Sequence, residues 1–431
     1  MQFPFDILYY IFSFLKSNPE SLIACSNAHP SFSPIAEKHL YYHITIQTSS
    51  GYRTSRYGYH LEPSQLLELL SESPQIANHV RVLQLTFSED FSNRDMEKYE
   101  QIARILPLFP SVKCIMLRSL YSISWQTGLP QTLRMAVENC LRLPTMQEIH
   151  IGTAMIFPLS LLNKHADITC LSFSAHPQMP DRPDDTYPPL QLKSLIFECL
   201  HDEYHESIST WTKPHITTLR SLQCEYSSEQ MILEFLDVCS GTLNNLDLEV
   251  RAPCEFIFLT FGTSTDLTTH PDGTCYYINS GRVSDANTPP EPLINLSSLR
   301  YLQHLTLRVL TYRDYDDNLA DEDRPEYPQE FCVSCLPTAA KILKTASSSL
   351  QHLTIEILVD SYRVWHIIDF SPLSMLAEAS SPFHHIDLYT MVPFVKIYPK
   401  LARYEGLKKL IKQGILIIHA EQTAPGISRF E

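Results

Sequence analysis

An α/β fold built as a repeating stack is the architecture that this 431-residue sequence predicts, and three observations carry the prediction. The first 45 residues read as three short helices. From about residue 65 onward, one apolar pattern recurs ten times, consisting of an apolar residue, two others, an apolar residue, one other and an apolar residue. Before many of its copies lies a helical stretch that ends in a Pro, Gly or Ser turn. The repeating unit is thus helix, turn and strand, and each unit exposes an apolar edge that only the next unit can cover, which implies a curved solenoid.

The N-terminal helices are placed by their start signals. Pro4 suits a first helical turn, where its missing N–H is not needed; Asn18-Pro19-Glu20 supplies a cap, a proline and an acid in order; Ser33-Pro34 opens a third helix running toward Tyr41. In the first helix Ile7, Ile11 and Leu15 form a stripe at spacing four, while Phe5, Leu8, Phe12 and Phe14 occupy other sides. Two small neighbours cannot bury every side of such a helix, so the adjoining domain or another protein is expected to cover the remainder.

These residues resemble the F-box, a short helical module with a leading Leu-Pro-x-Glu-like signature. Phe3-Pro4-Phe5-Asp6 stands in that place, followed by Ile7, Ile11, Phe14 and Leu15 at the family's apolar positions. Ser21-Leu22 resembles the second-helix entry, Cys25 the small residue, Phe32 the aromatic that is usually tryptophan, and Leu40-Tyr41 with Ile44 the close. The form with a Cys-Ser pair after the second helix and a Leu-Tyr ending is similar to fungal F-box proteins. The resemblance implies a module over 1–46 that docks on a Skp-type adaptor through Phe3, Pro4, Ile7, Leu8, Ile11 and Leu15, and through it on a cullin ligase. The alternative is that these helices merely cap the repeating stack.

After a linker over 47–64, the apolar hexads begin at Val80, Leu83, Leu85 and continue at Val112, Ile115, Leu117; Met146, Ile149, Ile151; Ile168, Leu171, Phe173; and Leu192, Leu195, Phe197. Looser or later copies are Leu219, Leu222, Cys224; Leu243, Leu246, Leu248; Leu302, Leu305, Leu307; Leu350, Leu353, Ile355; and Phe383, Ile386, Leu388. Several successive copies lie about 22 to 34 residues apart, against a usual leucine-rich repeat of about 20 to 29. Helical patterns precede them at Met96 to Leu108, Leu133 to Leu143, Glu229 to Cys239 and Ala339 to Thr345. Residues 65–431 therefore resemble an irregular leucine-rich-repeat horseshoe without the asparagine ladder. An ordinary α/β domain, with buried strands that also read as apolar runs, is the competing reading; it predicts more continuously apolar strands and more glycine.

Insertions are expected near 251–297, where Glu255 to Phe261 and Cys275 to Asn279 flank a turn as a hairpin, and at 313–330, which is crowded with Asp, Glu and Tyr. The last unit, Tyr398 to Lys412 followed by Ile415 to Ile418, is expected to cap the stack, with Lys408, Lys409 and Lys412 near a helix C-terminus.

Composition narrows the function. Eleven glycines, none in a phosphate-cradling motif, argue against dinucleotide and P-loop sites, and a formal charge of -15 opposes nucleic acid as a partner. Eleven scattered cysteines read as reduced thiols in the cytosol or nucleus; Cys332 and Cys335 lack a second ligand pair for zinc. The apolar N-terminus contains Asp6 and is followed by Lys16, contrary to a secretory signal, and no segment approaches a membrane span. Motifs for catalysis are missing, His384-His385 falls in an expected strand with diverging rings, and neither enzymatic activity nor a cofactor or metal is expected. The F-box resemblance thus implies a substrate receptor of a ubiquitin ligase that binds an unspecified target protein; a non-ligase interaction scaffold is the alternative. On the strands, His150, Ser172, Glu198, Asp247, Glu249, His304, Thr306, Arg308, Thr354, Glu356 and Asp387 alternate with the hexad residues and are the candidate target contacts.

Overall fold

The computed structural model describes residues 4–16, 18–48, 59–87, 93–119, 123–152, 155–164, 167–174, 177–178, 189–197, 205–224, 229–250, 294–310, 335–346, 348–358, 370–378, 383–390 and 392–420. It is an α/β structure that divides into two compact units, one reaching Leu246 and one beginning at Asp247. Both expected insertions fall largely on 251–293 and 311–334, outside the described residues, as do Phe3 and Glu198. Among the described residues, no helix is long and apolar enough to cross a membrane.

The first unit opens with α1 (Phe5–Ser13), α2 (Pro19–Ala28) and α3 (Ser33–Leu40), which start where the prolines predict. Asn18 caps α2 through its side-chain oxygen, which accepts from the Ser21 N–H at 3.0 Å. Phe12, Leu22, Ile35, Ala36 and Leu40 form the small core of these helices, and Phe32 meets Phe12 edge to face at 5.7 Å. The chain then enters the sheet at once: β1 (His43–Gln47) pairs in parallel with β2 (Tyr59–Leu61) and β3 (Val82–Phe87). Residues 43–46 are thus sheet as well as the close of the expected module. Pro63 opens α4 (Pro63–Glu72), where Glu62 and Gln65 exchange the two bonds of a capping box.

From β3 the strands run in parallel and in chain order through β4 (Cys114–Ser119), β6 (Glu148–Ile151), β8 (Cys170–Phe173), β10 (Ser194–Phe197) and β11 (Ser221–Cys224). A second, short parallel ladder accompanies three of them: β5 (Ile123–Ser124), β7 (Met155–Pro158) and β9 (Pro177–Gln178). The hexads lie in register, with Leu83, Ile115, Ile149, Leu171, Leu195 and Leu222 opposite one another and fully buried. Between strands run α5 (Asn93–Ile105), α6 (Gln131–Leu141), α7 (His205–Thr212) and α8 (Glu229–Cys239). Ring contacts Phe87–Tyr99, Phe173–Trp211 and Phe197–Phe235 seat three of these helices on the hexad face. Each buried Leu or Phe stabilises this layer by about 2 kcal/mol before chain entropy is subtracted.

The turns before the strands are joined by a ladder of backbone hydrogen bonds. The Arg81 carbonyl accepts from the N–H groups of both Lys113 and Cys114, Lys113 from Gln147 and Glu148, Gln147 from Thr169 and Cys170, and so on to Arg220 with Asn244 and Asn245. Hydroxyls add to it, as Thr145 Oγ1 donates to the Val112 carbonyl at 2.6 Å and Thr218 Oγ1 to Leu192 at 3.2 Å.

β12 (Asn245–Val250) leads into the second unit, where β13 (His304–Leu310), β14 (His352–Leu358), β15 (His385–Thr390) and β16 (Leu416–Ala420) again run parallel in chain order. Leu305, Leu353, Ile386 and Leu416 lie in register and form this unit's own buried row. The same ladder links Gln303 to Gln351 and His352, and Gln351 to His384 and His385. The helices are α9 (Cys335–Lys344), α10 (Ser371–Glu378), α11 (Phe394–Leu401) and α12 (Glu405–Lys412). The stretch from Tyr398 to Lys412, expected as part of the last unit, is shared between α11 and α12. Pro399 removes a backbone donor inside α11, and Tyr404 is extended. His384 precedes β15 instead of lying in it.

Candidate functional site

Two surfaces collect the candidate residues. On α1 the helical spacing separates two stripes. Phe12 is buried, and Leu8 and Leu15, one turn to either side, pack against its cluster. The opposite stripe is open to solvent: Phe5, Ile7, Tyr10, Ile11 and Phe14 are 46% to 68% exposed. Pro4 is exposed at the helix entry, where its carbonyl accepts the first helical bonds from Ile7 and Leu8. Of the expected adaptor contacts, Pro4, Ile7 and Ile11 are thus exposed, while Leu8 and Leu15 lean on the module's own core. Tyr10 and Phe14, which meet edge to face at 4.9 Å, extend the open stripe. Lys38 Nζ lies over the Phe5 ring, 5.3 Å from its centroid, as a cation–π contact. The side of α1 carrying Tyr9 is tied to α3 by the His39 Nε2 contact to the Tyr9 carbonyl at 3.1 Å.

The second surface is the face of the strands opposite the hexads. In the first unit it is largely closed, since His150 and Ser172 are buried together with Gln84, Thr86 and Gln223 of neighbouring strands. His150 Nε2 stands 3.9 Å from Glu148 Oε2. In the second unit Arg308, only 2% exposed, reaches Asp247 Oδ2 at 2.7 Å through one terminal nitrogen and Glu356 Oε2 at 3.6 Å through Nε. Arg308, Asp247 and Glu356 are therefore partners of one another. Glu249 is partly exposed on the same strand as Asp247.

His304, Thr306, Thr354 and Asp387 are more open. His304, His352 and His385 occupy one register position on adjacent strands; the first two rings stack at 4.7 Å, and the next pair is 5.9 Å apart. Burial, with the neighbouring His352 charge second, depresses the His304 pKa. Asp387 lies between two imidazoles, 3.1 Å from His385 Nε2 and 2.7 Å from His419 Nε2, while Tyr389 stacks on His419 at 4.2 Å. Burial and then the charges of Asp387 and Glu356 raise the Tyr389 pKa. The expected set contains only His304 of this row. The repeats aligned on their hexads read His-Leu-Thr-Leu, His-Leu-Thr-Ile and His-Ile-Asp-Leu, a signal that would have found the other two. Chemically, such a surface offers hydrogen-bond donors and acceptors.

Comparison with protein-family models finds no match for this chain, and comparison with curated proteins finds none either.

Proposed function

We propose that this chain is the substrate-recognition subunit of a Skp-cullin-F-box ubiquitin ligase. In this reading α1 to α3 are an F-box that docks on a Skp-type adaptor, and the repeated strand and helix units are an irregular leucine-rich-repeat solenoid that presents a target protein. The chain performs no chemistry itself. The observation that carries the reading is the open apolar stripe of α1, made of Phe5, Ile7, Tyr10, Ile11 and Phe14 beside a buried Phe12. A helix that packs one stripe inward and leaves another of five large side chains in water is built for a second protein. The chain-order parallel strands with registered hexads support the solenoid, and the histidine and threonine rows of the second unit supply hydrogen-bonding groups for the target.

Changing Ile7 and Ile11 together to Asp tests the assignment. Both are about half exposed, so the fold should survive, while carboxylates trapped at an apolar interface cost several kcal/mol and lower affinity by orders of magnitude. Co-purification with a Skp-type adaptor should be lost while the circular dichroism and thermal midpoint stay those of the parent. A folded double variant that captures the adaptor as well as the parent does would leave a non-ligase scaffold as the reading.

A further inference from the structure

We infer that Cys114, Glu148 and His150 form a zinc site with an open coordination position, an assignment independent of the proposed ligase role. The three donors converge because two of their strands are parallel and in register. Cys114 on β4 is the direct partner of Glu148 on β6, and His150 lies two residues beyond Glu148, so all three project from one face. One donor atom from each, sulfur, carboxylate oxygen and ring nitrogen, lies within 4.8 Å of the other two. Tetrahedral zinc with bonds of about 2.0 to 2.3 Å needs donors roughly 3.3 to 3.7 Å apart, so small side-chain rotations close the set around an ion. Glu148 Oε2 and His150 Nε2 are already 3.9 Å apart.

The donor set matches the metal. A thiolate and an imidazole select zinc over magnesium or calcium, and the thiolate and carboxylate charges together balance a dication. Cys114 and His150 are 3% and 7% exposed, whereas the Glu148 side chain is 49% exposed. Two ligands are thus held in a rigid strand layer, and the third stands at the solvent edge, where water completes the coordination shell. Cys170, the partner of Glu148 on the other side, flanks the site from β8. Each donor looks ordinary in the sequence, because Cys114 and Glu148 are brought together only by strand pairing.

The test uses the full chain, reduced and stripped of metal with a chelator, and titrated with Co²⁺ and then Zn²⁺. One equivalent of Co²⁺ should bind with a thiolate-to-cobalt charge-transfer band, and Zn²⁺ should displace it. Cys114→Ser should abolish the band and weaken Zn²⁺ by at least ~100-fold, while a Cys332→Ser, Cys335→Ser double variant keeps both. Glu148→Gln, at an exposed position that tolerates change, should weaken Zn²⁺ by about tenfold or more and serves where Cys114→Ser does not fold. Failure of the parent to bind one equivalent, or parent-like affinity in a folded Cys114→Ser or Glu148→Gln variant, overturns the assignment.

Discussion

Arg308 shows what a buried charge does on this surface. With Asp247 and Glu356 as its ion partners and almost no exposure, its guanidinium offsets two carboxylates that strand alternation brings to the same face. Arg308→Ala withdraws that cation from beside the two carboxylates and should cost about 3 to 5 kcal/mol in urea unfolding, more than the loss of an exposed pair. His215 makes the complementary point about a buried neutral base. Its Nδ1 accepts the Leu190 N–H at 2.9 Å, and burial pulls its pKa down to about 4. The unfolded chain takes up a proton near 6.5 and the folded chain does not, so stability is full above that pH and falls as pH drops toward 4. The loss approaches roughly 3 kcal/mol for this one group. His215→Gln should flatten that part of the stability profile between pH 6.5 and 4, measured by urea midpoint at each pH.

At the scale of the element, turns and helix ends carry the joints. Thr145 Oγ1 bonds the carbonyl that opens the preceding hexad, and Ser349 Oγ does the same for Leu302 at 3.0 Å. Thr145→Val removes the donor while keeping the shape, and should lower stability by about 1 kcal/mol, read as a lower urea midpoint with unchanged slope. The end of α12 is a Schellman turn. Gly414 has φ 69°, its N–H bonds the Ile411 carbonyl, and the Ile415 N–H bonds Leu410, which turns the chain directly into β16. Because the left-handed conformation is costly for a residue with a Cβ, Gly414→Ala should destabilise the second unit by roughly 1 kcal/mol. Thermal unfolding of the full chain checks it.

Across the whole molecule, the stabilising unit is the registered row of hexads within each compact unit. Leu171 sits in the middle of such a row, fully buried between Ile149 and Leu195. Leu171→Ala should cost about 3 to 5 kcal/mol, whereas Thr354→Ala, on the half-exposed opposite face, should stay within about 0.5 kcal/mol. Equal losses at the two positions in urea unfolding would show that the two faces of the sheet do not differ as their burial implies.

Read alone, the sequence suffices for the starts of the three N-terminal helices, for the strands of the regular hexads and for which face of those strands is apolar. Those signals are local: Asn18-Pro19 and Ser33-Pro34 act within one turn, and Leu83 and Leu85 share a face because strand side chains alternate. Whatever depends on residues far apart in the chain emerges only from the folded structure. It assigned Leu8 and Leu15 to the module's core and left Ile7 and Ile11 in water, although all four look alike in the sequence. It placed β1 and β2 in the sheet, where only the regular hexads had marked strands. It also paired Arg308 with Asp247 across 61 residues and set Cys114 beside Glu148. A register shift of one residue would have sent these side chains to the other face, and register is set by the packed hexads of neighbouring strands, which no single segment contains.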